Sequence, residues 1–282
     1  MFRSEEVFNY MNSFTHRRIH PSVIQIIDHD VYMFLIEGTE KSVLIDTGYG
    51  IGNIREYVRT LTDRKVTVLL THNHSDHSGG IGWFENVYLN RRDWKGCFGC
   101  QTIEKRYERL SRKKDFADIP KEDYAPQFQG ALQELSEGDE FDLGGITLKV
   151  IEVPGHSFGS VMFLLKEERI IIYGDACGRR LGLLSPGHYV SDYLKALEHL
   201  KEYDGTYDLI WRSHNELECP LDVLDDDIEC CREILNGTDD HFEVLRHGRK
   251  CFAAKAVDLT DKYEKRLDGK TGNIYYIPEN AE

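Results

Sequence analysis

Apolar residues recur along this chain in short β-branched runs, each closed by turn-forming residues and then a polar side chain. Residues 23–27 and 31–36 read as two strands joined by a tight turn at Asp28-His29-Asp30, and residues 42–45 as a third. Ile54, Val58 and Leu61 fall at helical spacing and predict a helix over 51–61. Residues 66–70 return to strand, 80–84 begin another helix, and 86–89 form a short strand. Further on, 141–148 predicts a hairpin turning at Gly144-Gly145, continued as a strand through 149–153. Residues 160–165 and 169–173 pair around Lys166-Glu167-Glu168. A helix is expected over 190–203, with Ser191 as N-cap and Tyr193, Leu194, Leu197 and Leu200 inward. Residues 209–211 are a strand, 221–235 a helix, and 242–245, 251–257 and 274–277 closing strands.

The pattern lapses between about 90 and 133. This stretch is charged (Lys105-Arg106, Arg112-Lys113-Lys114), carries Pro120 and Pro126, and shows no sustained alternation. It is expected to be a largely helical insertion lying over the surface, a candidate lid whose charge runs form a solvated face. No linker or low-complexity segment interrupts the rest, so the expectation is one domain over 1–282 with a C-terminal extension after about 236.

Composition changes this picture little. With 282 residues, 40% hydrophobic and 30% charged, the chain has the make-up of an ordinary globular protein. Its net charge of −14 opposes a general nucleic-acid partner, whose phosphates need a basic surface. No apolar run has the length to span a bilayer, and Met1-Phe2-Arg3-Ser4-Glu5-Glu6 lacks the basic flank and apolar stretch of a signal peptide. Seven cysteines, with Cys230-Cys231 adjacent, do not suit a secreted disulfide framework, and a cytoplasmic setting is expected. Cys97-Phe98-Gly99-Cys100 is a lone C-x-x-C, read as packed thiols in preference to a zinc knuckle or redox centre.

The chemistry lies where the strands end. Residues 44–45 lead to Asp46, 69–70 to His72, 151–153 to His156, 170–173 to Asp175 and 209–211 to His214. Carboxyl ends of strands sharing a sheet converge, so ligand-type residues repeated there point to one site. A single histidine at a strand end is usually structural, but this repetition is not explained that way. After the run 66–70 stand His72, His74, Asp76 and His77, followed by Gly79-Gly80. Imidazole and carboxylate suit zinc or a similar metal, and four such groups in so short a loop exceed what one ion can easily use.

In these motifs the chain resembles the metallo-β-lactamase superfamily, within the subgroup of glyoxalase II-type thioesterases and metal-dependent lactonases. Asp46, His72-x-His74-x-Asp76-His77, His156, Asp175 and His214 appear in the family's order. The resemblance implies an α/β fold, a four-layer αββα sandwich of two mixed sheets flanked by helices. It implies two divalent metal ions, zinc first and iron or manganese otherwise. His72, His74 and His156 would hold one, Asp76, His77 and His214 the other, and Asp175 would bridge both. Asp46 would sit behind the ligands and orient them. The implied activity is hydrolysis of a small ester, thioester or lactone by a metal-bridging hydroxide, with Asp76 and Asp175 as catalytic groups. Alternatives on the same fold are an iron-dependent redox or sulfur-oxidising enzyme, a phosphodiesterase and a β-lactam hydrolase.

The bridging aspartate and His77 depart from the pattern of true β-lactamases. Beyond residue 235 the tail reads as strand, unlike the helical glutathione-binding region of typical glyoxalase II enzymes. Lactonases often place a tyrosine soon after the bridging aspartate, where this chain has Ala176-Cys177-Gly178-Arg179-Arg180. Arg179 or Arg180 is a candidate for recognising a substrate carboxylate or phosphate, with a surface ion pair as the alternative. Cys177, His188 and Tyr189 are further candidate substrate contacts, Cys177 with buried packing as its alternative. His16, His20, His29, His199, His241 and His247 lack a partner pattern and read as surface or structural. The expected partner is a small molecule, with neither nucleic acid nor membrane.

Overall fold

The structure, a computed structural model, describes residues 14–246 and 248–282. His247 and the N-terminal segment read above for a signal peptide lie outside the described residues. The chain divides into two compact units, one of residues up to 136 together with 140–147, the other of 137–139 together with 148–282.

The first unit is built on one sheet whose strands lie side by side in chain order: β1 (Phe14–His20), β2 (Val23–Asp28), β3 (Val31–Glu37), β4 (Lys41–Ile45), β5 (Lys65–Leu69), β6 (Asn86–Leu89) and β7 (Ala131–Glu134). Neighbours from β1 to β4 are antiparallel, whereas β4 to β7 run parallel. Strands β3 and β4 are apolar and almost wholly buried, as covered sheet strands must be. The short β8 (Glu140–Asp142) precedes the Gly144-Gly145 turn, where both glycines take left-handed φ (82° and 79°) and Leu143 N–H donates to Ile146 O at 2.9 Å.

The second unit holds β9 (Thr147–Glu152), β10 (Val161–Leu165), β11 (Ile170–Gly174), β12 (Leu181–Leu183), β13 (Leu209–Arg212), β14 (Glu218–Cys219), β15 (Phe242–Arg246), β16 (Arg249–Ala253) and β17 (Ile274–Tyr276). One of its sheets runs β14-β13-β11-β10-β9, and a second β12-β17-β16-β15. Helices Val190–Leu200 and Val223–Asn236 bury Tyr193, Leu197, Leu200, Leu224, Cys231 and Ile234 in one cluster with Ile151, Met162 and Ile171. Among the described residues no helix is long and apolar enough to cross a membrane.

Several boundaries move for local reasons. The helix expected over 51–61 spans only Ile54–Arg59, because Gly52 takes a left-handed φ (77°) and the Asn53 side chain caps by accepting from Glu56 N–H at 3.1 Å. Ser191 is not an N-cap: the helix starts at Val190, with Tyr189 at the cap position and no side-chain cap bond. Strands β1, β7, β12 and β14 escape the apolar pattern, being short or, for β1, mostly exposed.

The stretch 90–133 is corrected more deeply. Before β7 it contains one two-turn helix, Ile103–Leu110, and short 3-10 turns at Arg91–Gly96, Phe98–Cys100, Lys114–Phe116 and Lys121–Asp123. It is not a solvated layer, since Phe98, Leu110, Phe116 and Tyr124 form a core with Val31, Tyr49 and Ile51. Lys105, Arg112, Lys113 and Lys114 are exposed, but Arg106 is completely buried. Its guanidinium donates to the carbonyls of Gly79 (3.3 Å), Gln101 (3.3 Å) and Ala125. Arg106 thus ties this stretch to the glycine pair that follows the histidine loop.

Arg106→Met removes those donors while keeping much of the apolar bulk. It is expected to lower the urea-unfolding free energy by about 2–4 kcal/mol, the cost of stranding buried polar partners. Lys105→Met on the exposed face should stay within about 0.5 kcal/mol.

Candidate metal centre

In the first unit the site follows from two adjacent parallel strands. Because β4 and β5 run side by side, Asp46 and Thr71-His72 leave neighbouring carboxyl ends. Asp46 takes a left-handed φ of 64°, a conformation a non-glycine residue holds only where its surroundings enforce it. They do so through its carboxylate, which is fully buried and accepts from Thr71 N–H (2.8 Å) and the Thr71 hydroxyl (2.8 Å) while pairing with His77 Nδ1 (2.8 Å). Thr71 Oγ1 also lies 3.0 Å from His72 Nδ1. With Nδ1 of both rings engaged by such partners, Nε2 is the atom each would give to a metal.

The rings gather closely. His72 and His74 have centroids 4.5 Å apart, His72 and His77 4.2 Å, and His77 Nε2 is 3.9 Å from an Asp76 carboxylate oxygen. Thr47 steadies the loop from behind, its N–H and hydroxyl both donating to His77 O (2.7 and 2.9 Å). A Cβ on Gly79 would come within 2.2 Å of the Tyr49 backbone, and one on Gly80 within 2.5 Å of Thr47 O, which is why two glycines follow the motif. Asn73 N–H donates to the buried Asp93 carboxylate at 3.0 Å, and Ser78 Oγ donates to Asn73 O and His74 O at 2.9 Å. Sequence reading gave no role to Thr47, Thr71, Ser78 or Asp93. The first three adjoin the motif residues, but nothing local marks Asp93.

In the second unit β9 and β11 are both antiparallel to β10, and β11 is parallel to β13. The three strands therefore point the same way, and His156, Asp175 and His214 follow their carboxyl ends. Asp175 Oδ2 lies 3.6 Å from His156 Nε2 and 3.4 Å from His214 Nε2. His188, buried and packed on Phe158 (centroids 4.2 Å), donates from Nδ1 to Gly155 O, directly before His156. Tyr193 hydroxyl donates to Ala176 O at 2.9 Å. Asp227 Oδ2 accepts from the Cys177 thiol (3.0 Å) and Gly178 N–H (2.8 Å), fastening the segment after Asp175.

The candidate substrate contacts are placed unevenly. Cys177 is buried on Asp227, and His188 is engaged with the Gly155 backbone, whereas Tyr189 is exposed. Arg179 pairs with Glu216 at 3.1 Å. Arg180 is exposed yet crowded: after desolvation, the like charges of Arg246, Arg212 and Arg179 hold its pKa below the usual arginine range. The Arg212 guanidinium packs 3.1 Å from where a Gly178 Cβ would stand, and Arg246 lies over the Tyr275 ring (4.6 Å) while pairing with Glu264. Of the remaining histidines, His16 meets Tyr57 OH (2.8 Å), His29 meets Asp28 (2.7 Å) and His241 meets Tyr276 OH (2.8 Å), as structural residues do.

The sequence profile of the metallo-beta-lactamase superfamily matches residues 26–207. The chain belongs to that superfamily. It is 26% identical to a hydroxyacylglutathione hydrolase of Bdellovibrio bacteriovorus, over 78% of this chain and 74% of that one. It is 31% identical to the human acyl-coenzyme A thioesterase MBLAC2, over 60% of this chain and 67% of that one. Among solved structures, a beta-lactamase from Chitinophaga pinensis superposes with a TM-score of 0.53 at 19% identity, covering 84% of this chain and 97% of that one. The fold is the metallo-β-lactamase fold. His72, His74, Asp76 and His77 in one unit, and His156, Asp175 and His214 in the other, are groups able to hold a metal ion. Their donor set, imidazole nitrogen and carboxylate oxygen with backing partners for the rings, fits a divalent ion such as zinc.

Asp227 gives the second unit a pH signature. Burial raises its carboxyl pKa to about 7, against the Cys177 thiol, the Gly178 N–H and Arg212, which lower it. In the unfolded chain it returns to about 3.9. Its contribution to stability is therefore present in full below about pH 4 and is lost as pH rises through about 7. Compared with Asp227→Asn, the native chain should lose urea-unfolding free energy steadily over that window and change little above it. A difference flat in pH would mean that the carboxylate is ionised in the folded state throughout.

Proposed function

We propose that this chain is a binuclear metallohydrolase that cleaves a thioester of an anionic carrier. His72, His74 and His156 would hold one divalent ion, Asp76, His77 and His214 a second, and Asp175 would bridge the two, with zinc as the first candidate. The observation that carries this reading is Asp175, set within 3.6 Å of two imidazoles at matched strand ends. Bound divalent ions supply a nucleophile at neutral pH and polarise the carbonyl under attack. The protein's own part is to hold the ligands rigid. Asp46 keeps His77 in one tautomer and orientation, and Thr71 does the same for His72.

The carrier is inferred from charge. In a chain with net charge −14, Arg179 and Arg180 of the segment after Asp175 gather with Arg212 at the end of β13 and Arg246 of the C-terminal extension. Glu216 answers Arg179 and Glu264 answers Arg246, while among the described residues no carboxylate pairs with Arg180 or Arg212. Guanidinium groups of this kind suit phosphate or carboxylate on a thiol carrier. The likeness to an acyl-coenzyme A thioesterase supports the same choice.

A hydrolysis screen of the zinc-loaded protein over acyl-coenzyme A, S-acylglutathione, lactones, aryl esters, phosphodiesters and β-lactams tests the substrate class. Acyl-coenzyme A should give the highest kcat/KM. Arg180→Ala should raise KM for it about tenfold, as for a lost charged hydrogen bond, and leave a short thioester without phosphate unaffected. Turnover confined to phosphodiesters would overturn the reading. Elemental analysis tests the ligand set separately: Asp175→Ala should abolish turnover and bring bound metal below two per chain. Asp46→Ala should weaken metal binding about 10–100-fold without removing a ligand.

A further inference from the structure

Behind the histidine loop lies a pair of thiols that the hydrolytic chemistry does not use. Cys97 and Cys100 flank the 3-10 turn Phe98–Cys100, and Cys100 N–H donates to Cys97 O at 3.2 Å. Three residues at a rise of about 2.0 Å set their Cα atoms roughly 6 Å apart. That spacing falls within the window of about 4.4–6.8 Å that a disulfide spans. Both cysteines are free. Cys97 is buried, whereas Cys100 is partly open to solvent. The Cys100 thiol, helped by neighbouring N–H groups and the Ser78 hydroxyl, holds Cys97 below the ordinary cysteine range, and Cys97 in turn pushes Cys100 up. The five other cysteines are pushed up, each by burial first. Only this pair sets two thiols on one turn with one of them open to solvent.

The same turn is stitched to the metal-ligand loop. Phe98 N–H donates to Asn73 O (3.2 Å) and to Ser78 Oγ (3.2 Å). A Cβ on Gly96 would come within 2.3 Å of Asn73 Nδ2, and one on Gly99 within 2.3 Å of Ser78 O, so turn and loop touch along their backbones.

We propose that Cys97 and Cys100 form a reversible disulfide by exchange with a small-molecule disulfide such as glutathione disulfide, and that its state sets how tightly the Asn73–Ser78 segment is held. Cys100 releases its proton to solvent and attacks glutathione disulfide. One glutathione thiolate leaves, and a mixed disulfide remains on Cys100. Cys97 loses its proton to solvent and attacks Cys100 Sγ, breaking the mixed bond and forming the internal one as the second glutathione leaves. The pair loses two electrons, glutathione disulfide gains them, and the two protons end on the two released thiolates. Forming the bond draws the two sulfurs together across the turn whose Phe98 N–H holds Asn73 O and Ser78 Oγ, so the loop is released by about one hydrogen bond.

The test equilibrates the full chain in glutathione buffers of increasing oxidised fraction, quenches with acid and alkylating agent, and maps cysteines by peptide mass spectrometry. A Cys97–Cys100 bond should form and be reversed by reduced glutathione, while Cys97→Ser should instead stop at a glutathione adduct on Cys100. Hydrogen exchange of the peptide covering 72–80 should be about fivefold faster in the oxidised chain, the size of one lost hydrogen bond, and unchanged by the buffer in Cys97→Ser/Cys100→Ser. Absence of the internal bond in fully oxidised glutathione, absence of the Cys100 adduct, or identical exchange in the two states would each overturn the proposal. None of these readouts depends on bound metal or turnover, so they stand apart from the hydrolase reading.

Discussion

A buried carboxylate anchors the histidine loop. Asp46 has no exposure to solvent, and an isolated charge there would be very costly. Two donors from Thr71 and the His77 ring meet it instead, so its stability and the loop's geometry depend on each other. The left-handed backbone at Asp46 costs about 1–3 kcal/mol and persists only because these partners over-determine it. Thr47, Gly79 and Gly80 then close the loop against the backbone that follows Asp46, at Thr47, Gly48 and Tyr49, leaving little freedom for His72 or His77 to reorient.

The second unit solves the same problem without a buried carboxylate–imidazole pair. Asp175 and its flanking segment are held by Tyr193 from one helix and Asp227 from another, while His188 fixes the backbone ahead of His156. The C-terminal extension takes part directly. Asn273 N–H donates to Gly178 O at 3.3 Å and Leu181 N–H to Asn273 O at 3.1 Å, and β17 pairs with β12. The tail therefore shapes the segment that carries Arg179 and Arg180, and it contributes Arg246 and Tyr275 to the same cluster. Residues beyond the superfamily match at 207 help to build the surface on which substrate choice is proposed to rest.

Legibility followed locality. Most strands read from β-branched runs were found within a residue or two, because burial on both faces leaves a continuous apolar signal, whereas the strand expected over 251–257 spans Arg249–Ala253. The histidine motif and the strand-end aspartates were visible for the same reason, each following directly on such a run. What failed was non-local. Arg106 sits in a charged stretch and looks solvent-facing, yet three carbonyls distant in sequence or on the adjoining turn claim its guanidinium. Asp93 is unremarkable in sequence and becomes meaningful only when its oxygen meets Asn73 N–H. The C-x-x-C was legible as a motif, but its contact with the metal-ligand loop was not.

By itself the sequence determined the family, the order of the ligand-type residues and the kind of chemistry they suit, because these reside in residue identity and short spacing. Tertiary structure alone decided which groups stand behind the ligands, which arginines gather after Asp175, and that Cys97 and Cys100 share one turn against Asn73 and Ser78. Those contacts join positions tens of residues apart, and their energies depend on burial and exact donor placement, which no local pattern encodes.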